Sequence, residues 1–498
     1  MERKQSGLLI ILIFLVFSIS IINTFPSPVV FKKQNLENNR ITKLGDSPIL
    51  ITNNGNFSSY AIAGDGNPST PWIIENYIIN ASGEGTHGIH IEGTTDFFIL
   101  RNCSVVEADV SYYGIYIRNT INGLIINNSI KYCDYGIFIS NSNKLNLTSN
   151  IANNNTNGIS LQATSDNNTL FINTAKYNNN QGIYLYQSDN NKLISNVIID
   201  NFYYGLTLQS SYLNNLTHNT VNHNKRYGIY LTSADYNTLV YNKANDNYLF
   251  SDGITLSASD HNEVINNTLN HNNAHGICLE SSSQKNRIIN NTLIDNADFG
   301  FYIESSSNNT LTNNFVIDNQ RGIALYASSH FNELRDNILN DNGYGIYLSQ
   351  SNYNNITENI ATLNNKNGIY LWSSSYNRII NNTIKSSNDD GIYISSGNHN
   401  KLINNTVDES NGYGLYLSGS SYNDVLLNRF YYNKDCWFES SSCTNNTFEN
   451  NDCKMPPGSE IPSFTWMVSL VGLVFLSYLL YIIKRGKNTT NNSLHKMS

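Results

Sequence analysis

A chain of 498 residues ordinarily divides into about three domains, yet this one has only 14% charged residues and fills the vacancy with Asn, Ser, Thr and 33 Tyr. The formal net charge is −8 and no basic run interrupts the central region, which excludes a nucleic-acid partner.

Met1-Glu2-Arg3-Lys4 followed by the apolar run Leu8 to Ile22 makes residues 1–22 a signal peptide or an uncleaved anchor. Residues 23–44 read as a polar stalk. Next come Ser47-Pro48-Ile49-Leu50-Ile51 and Trp72-Ile73-Ile74-Glu75-Asn76-Tyr77-Ile78-Ile79, both strand-like and separated by Gly64-Asp65-Gly66-Asn67-Pro68. Residues 45–87 are therefore expected to form an N-terminal cap and first turns, because a stack of like units needs an end that is not adhesive.

From residue 88 one phrase returns: Gly, an aliphatic residue (once Phe), any residue, then Ile or Leu. Its fifteen copies begin at Gly88, Gly114, Gly136, Gly158, Gly182, Gly205, Gly228, Gly253, Gly276, Gly300, Gly322, Gly345, Gly368, Gly391 and Gly414, spaced by 22 to 26 residues. Positions one and three after the Gly are apolar in every copy, which is the period of a short strand with one face inward. No stretch sustains a helical period. No proline occurs between Pro71 and Pro456, as expected where every backbone N–H is needed for pairing. Residues 88–453 thus predict an all-β, single-stranded parallel β-helix of about 15–16 turns of about 23 residues, stacked at ~4.8 Å, with corner Asn amides bonding to their counterparts above and below.

The last turn departs from the phrase. Cys436 takes the place of the Gly and Trp437 that of the Ile, and Cys443 and Cys453 come after them. A disulfide among these three is expected in an oxidising exterior, with the pairing open. Residues 454–463 make a Pro-rich linker. Residues 464–483 are mostly apolar and long enough, at about 30 Å of helix, to cross a bilayer. Lys484, Arg485 and Lys487 then place the tail, 484–498, in the cytoplasm and the repeats outside.

The Gly-Ile-Tyr-Leu and Asn-rich turns, with Gly64-Asp65-Gly66-Asn67-Pro68, Pro71-Trp72-Ile73-Ile74-Glu75 and Phe97-Phe98-Ile99-Leu100-Arg101-Asn102-Cys103, resemble the NosD-type family of carbohydrate-binding and sugar-hydrolase repeats. The resemblance covers about residues 45–453 and implies a right-handed coil and a cell surface of archaeal type. It also implies a choice among polysaccharide lyases, hydrolases, alginate epimerases and the periplasmic factor for copper-site maturation in nitrous oxide reductase, copper entering only under the last. Ile461-Pro462-Ser463-Phe464, with the membrane run and the basic cluster behind it, is similar to the C-terminal sorting signals of archaeal surface proteins.

Position two after the Gly is Tyr in eight turns, including Tyr302, Tyr347, Tyr370, Tyr393 and Tyr416, and Trp372 joins these as a ligand-binding candidate. Position eight forms a second column of Tyr236, His261, His330, Tyr353, Tyr376, His399 and Tyr422. Such columns suit sugar rings, or they stabilise neighbouring turns by stacking on one another. Asp252, His275 and Cys278 share a face with Glu280 and Glu304, which sit at position four of adjacent turns. The two glutamates are the catalytic candidates, at a separation expected to be about 5 Å, and His275 and Cys278 are the metal candidates. Asp389-Asp390-Gly391 and His275-Gly276 resemble fragments of polygalacturonase motifs, without the accompanying elements. Asn-x-Ser/Thr sequons, among them Asn266, Asn290, Asn381 and Asn404, make glycosylation an expectation. The reading that joins these features is a membrane-anchored, non-catalytic surface protein whose Tyr-rich face meets a glycan or envelope polymer. The alternatives are a polysaccharide-active enzyme and a copper-maturation accessory protein.

Overall fold

The recurring Gly is demanded by space. A Cβ built on Gly345 would lie 2.4 Å from the Gly368 carbonyl oxygen of the next turn, 3.0 Å from Asn364 Nδ2 and 3.1 Å from Ala361 Cβ. At this residue the strand kinks, so that Gly345 and Ile346 both face inward while Tyr344 and Tyr347 both face outward. That kink sets the geometry of the outer face of this sheet.

The computed structural model describes residues 45–456. The expected signal, stalk and membrane helix, and all of the linker beyond 456, lie outside the described residues. Each turn contributes three strands, typified by Tyr344–Ser349, Asn355–Thr357 and Ile360–Thr362. These pair in parallel with their equivalents a turn later: Ile346 with Ile369, Ile356 with Ile379, Ala361 with Ile384. Among the described residues the strands that carry the Gly form a 17-stranded sheet, so the stack is about 17 turns, beginning one turn before Gly88 with Ile49–Ile51 paired to Ile89–Ile91. The third face is split into sheets of seven and nine strands. It breaks where the turn after Gly228 carries the exposed bulge of Tyr248, Leu249 and Phe250. The coil is right-handed.

Inward Ile and Leu fill the interior and are almost wholly buried, at about 1.5–3 kcal/mol each. The corners are closed by polar ladders. One runs unbroken from Asn128 to Asn451, each side chain bonding to the equivalent Asn of the next turn; Asn337, for example, donates from Nδ2 to Asn359 Oδ1 at 2.9 Å and to the Leu311 carbonyl at 2.9 Å. The same oxygen column accepts backbone N–H groups, as Asn359 Oδ1 does from Asn337 N at 3.0 Å. Residues just before these Asn turn the chain with positive φ, such as Tyr353 (59°), Glu358 (59°) and Leu363 (56°). Two further Asn columns and a Ser column close the remaining corners. The buried amides therefore satisfy backbone groups that the bends would otherwise orphan.

The first end is covered by a 3-10 turn, Asn54–Ser59, whose buried Phe57 ring stacks on Trp72 (6.1 Å) and packs on Phe98 (5.4 Å). In the last turn Cys436 is joined to Cys453, tying the first strand of that turn to its third; Cys443 is a free thiol at the end of the Ser column, where its sulfur accepts the Ser420 N–H.

Candidate functional site

Because the Gly kink turns the residue before it outward, the Gly-bearing sheet carries two adjacent outer columns. Position two supplies Tyr302, Tyr347, Tyr370, Tyr393 and Tyr416. The residue before the Gly supplies His275, Phe299, Arg321, Tyr344, Asn367, Asp390 and Tyr413. Sequence reasoning took up only part of the second column, although its signal was legible: an aromatic residue precedes the Gly in many turns.

The tyrosines are stacked. Tyr370 and Tyr393 lie 4.8 Å apart with 3° between planes, and Tyr393 and Tyr416 4.7 Å apart at 9°, while Tyr347 meets Tyr370 edge-on at 5.3 Å. Rings in this arrangement cover one another's faces and turn edges and hydroxyls outward. Half-burial pushes the Tyr370 hydroxyl up to about 12, so it donates hydrogen bonds at any ordinary pH.

Trp372 differs. It is exposed, it follows Tyr370 on the same outer side of its strand, and its strand partners above and below are Ser349 and Ser395. Among the described residues it makes no ring contact, and it stands 42% exposed between two small neighbours. On the other side of Tyr370 lies a cleft of about 420 Å³ lined by Tyr344, Asn367, Tyr370, Asp389, Asp390 and Tyr393. Burial raises the Asp390 carboxyl, and its Oδ1 accepts the Tyr413 N–H at 2.7 Å. Tyr302 and Tyr347 lie farther along the same face, in earlier turns. The structure thus brings Tyr370, Tyr393 and Trp372 into one neighbourhood with the Asp389–Asp390 pair.

The other outer positions differ from the sequence reading in two ways. Position two is not uniformly open to water: Thr255, Cys278 and Ala324 are buried there, beneath the larger side chains of the neighbouring column. In the position-eight column His330 is replaced by Phe331, which stacks on Tyr353 at 5.1 Å, because an extra residue at the Ala327–Ser328 corner shifts the register by one. The rest of that column stacks as expected, from Tyr353 through Tyr376 and His399 to Tyr422.

Glu280 and Glu304 are half-buried at the ends of strands that pair through Leu279 and Ile303. Both contribute to raising the enclosed Cys278 thiol, which burial already holds well above its usual range. Burial and the nearby Glu304 carboxylate push the Tyr302 hydroxyl up. Asp252, fully enclosed, accepts the His275 N–H at 3.0 Å and the Thr255 hydroxyl at 2.7 Å, and burial pushes its carboxyl up to about 7. The His275 ring is stacked against Phe299 (5.0 Å) and Tyr302 (4.7 Å), and burial depresses it to about 4. These groups pack rather than converge on an open point. Among the described residues no set of three or more His, Cys, Asp or Glu is placed to hold a metal ion, so His275 and Cys278 do not fit a copper site.

Residues 208–361 and 322–461 match the family described as a right handed beta helix region, and residues 72–249 match the periplasmic copper-binding protein NosD. The chain belongs to the NosD-type right-handed β-helix family. No curated protein sequence matches it. Among solved structures, this β-helix is similar to the A-module of a mannuronan C-5 epimerase from Azotobacter vinelandii, with 12% identity over 82% of this chain and 100% of that one and a TM-score of 0.32. It is also similar to the catalytic domain of a GH87 α-1,3-glucanase in complex with nigerose (14%, 69% and 62%, 0.30). A third is PfbA, a surface adhesin of Streptococcus pneumoniae (10%, 66% and 83%, 0.26). Likenesses this distant carry no argument about activity.

Proposed function

We propose that this NosD-type β-helix is a non-catalytic extracellular protein, anchored through residues 464–483, that binds a glycan or envelope polymer along its Gly-bearing face. The observation that carries the reading is Trp372: an exposed indole beside a column of tyrosine hydroxyls and a polar cleft offers a sugar both apolar surface and hydrogen-bond partners. Tyr370, Tyr393 and Tyr416 act through their edges and hydroxyls, because stacking occupies their faces; Tyr302 is stacked on His275, and Tyr347 carries the Arg321 guanidinium. A glycan array with the purified chain tests it. Trp372→Ala is expected to weaken binding about tenfold, the equivalent of losing one ring platform worth about 1–1.5 kcal/mol. An array on which nothing binds, or binding untouched by Trp372→Ala, rejects the role.

The match of residues 72–249 to NosD favours a second reading, an accessory part in copper-site maturation. The described His275 and Cys278 do not supply its donor set. Copper retained by the purified chain through dialysis would support that reading.

A further inference from the structure

Two cations sit on the aromatic face without a carboxylate partner. Arg321 holds its guanidinium carbon 4.6 Å from the ring centre of Tyr347, 4.8 Å from Phe299, 5.5 Å from Tyr344 and 5.8 Å from Tyr326. Its Nε is buried and has no hydrogen-bond acceptor. Two turns on, Lys366 is exposed and places Nζ 4.9 Å from the centre of the same Tyr344 ring. Among the described residues neither makes an ion pair, whereas Arg118, at the end of an earlier strand of the same sheet, lies 3.6 Å from Glu92.

Acids lie near both cations without pairing with them: the Arg321 N–H donates to the Asp298 carbonyl of the turn before, and the Asp389 N–H of the turn beyond donates to the Lys366 carbonyl. Glu304, one turn before Arg321, is at the far end of the strand, where its partner is Tyr326 while that of Arg321 is Phe299. Asp390 is three turns beyond Arg321, about 14 Å at ~4.8 Å per turn, and one turn beyond Lys366, where its Oδ1 accepts the Tyr413 N–H. A guanidinium framed by four rings has lost most of its side-chain freedom before any ligand arrives, and its planar fork suits a planar or tetrahedral anion. The enclosing rings also lower the local dielectric and strengthen any anion it meets.

We propose that Arg321, Tyr344 and Lys366 form a subsite for the acidic group, carboxylate or sulfate, of a saccharide lying along this face. The inference rests on the glycan-binding reading and narrows it to an anionic polymer, with the sugar ring carried toward Trp372 and the acidic group held by the two cations. Nonspecific ion exchange does not account for such a preference, because the chain as a whole is itself negative, at −8.

The test uses the purified full-length chain against three polymers: hyaluronan for carboxylate, dextran sulfate for sulfate, and neutral dextran. Expected are binding of at least one acidic polymer about tenfold tighter than dextran, weakening with added salt, and a loss of about fivefold or more in Lys366→Gln and Arg321→Gln. Whichever acid binds identifies the group. Lys366 is exposed, so Lys366→Gln retains the fold and keeps the test decisive if Arg321→Gln unfolds. Equal binding of acidic and neutral polymers, or acidic binding unchanged in Lys366→Gln, overturns the subsite while leaving a Trp372-dependent glycan site standing. Failure of all three polymers, together with a blank glycan array, removes both.

Discussion

Gly345→Ala tests the stack at its tightest point. The added methyl would sit 2.4 Å from the Gly368 carbonyl oxygen, and that oxygen accepts the Ile346 N–H at 2.9 Å in the bond that joins the two turns. Relief to an ordinary contact of about 3.3 Å requires the turns to part by nearly 1 Å. Overpacking of this kind costs about 1–3 kcal/mol and a buried backbone hydrogen bond lost with it about 1–3 more, so the turn should be weakened by roughly 2–6 kcal/mol. In a solenoid each turn touches only its neighbours, so the damage is local. Amide hydrogen exchange read by mass spectrometry should accelerate at least about tenfold over residues 345–391 and little elsewhere, since 1.4 kcal/mol is a factor of ten. Thr383→Ala, an exposed strand position in the same region, serves as the control. Exchange in Gly345→Ala within about twofold of that control would refute the claim that the glycine is fixed by close approach.

Two further outcomes concern the buried acid and the terminal staple. Asp252 carries a folded-state pKa raised from 3.8 to about 7; below 3.8 it is protonated folded and unfolded alike, and between 3.8 and 7 the unfolded chain releases a proton that the folded one keeps. Stability is therefore lost as pH rises through that window, by on the order of 4 kcal/mol in all, and levels off above it. Asp252→Asn should remove that slope and be the more stable variant at pH 8 by urea titration; parallel pH profiles would contradict it. Reducing Cys436–Cys453, which closes a loop of 17 residues, should loosen the last turn by about 3 kcal/mol and expose residues near 440–450 to protease. Cys443→Ala should leave proteolysis unchanged.

The sequons have a structural origin. Asn381-Asn382-Thr383 and Asn404-Asn405-Thr406 arise where an exposed positive-φ Asn precedes the buried ladder Asn and the first residue of a strand. The same corner takes Ser149, Ile172, Tyr241 and Leu427 in other turns, and intact mass before and after deglycosylation would measure whether the Asn versions are glycosylated.

The sequence by itself determined the stack. In a solenoid the repeat period is also the strand register, so Gly345 and the inward Ile346 and Leu348 could be placed against Gly368, Ile369 and Leu371 without coordinates. Single-residue insertions defeat that reading, as at Ala327–Ser328, where Phe331 and not His330 enters the column. Only the tertiary structure decided which outward side chains are free. The kink at the Gly turns a second column onto the same face, burying Thr255 and Cys278 and gathering Arg321, Tyr344 and Lys366, while stacking closes the tyrosine faces and leaves Trp372 exposed. Those outcomes depend on the sizes of neighbours two columns and a turn away, which a one-dimensional period does not contain.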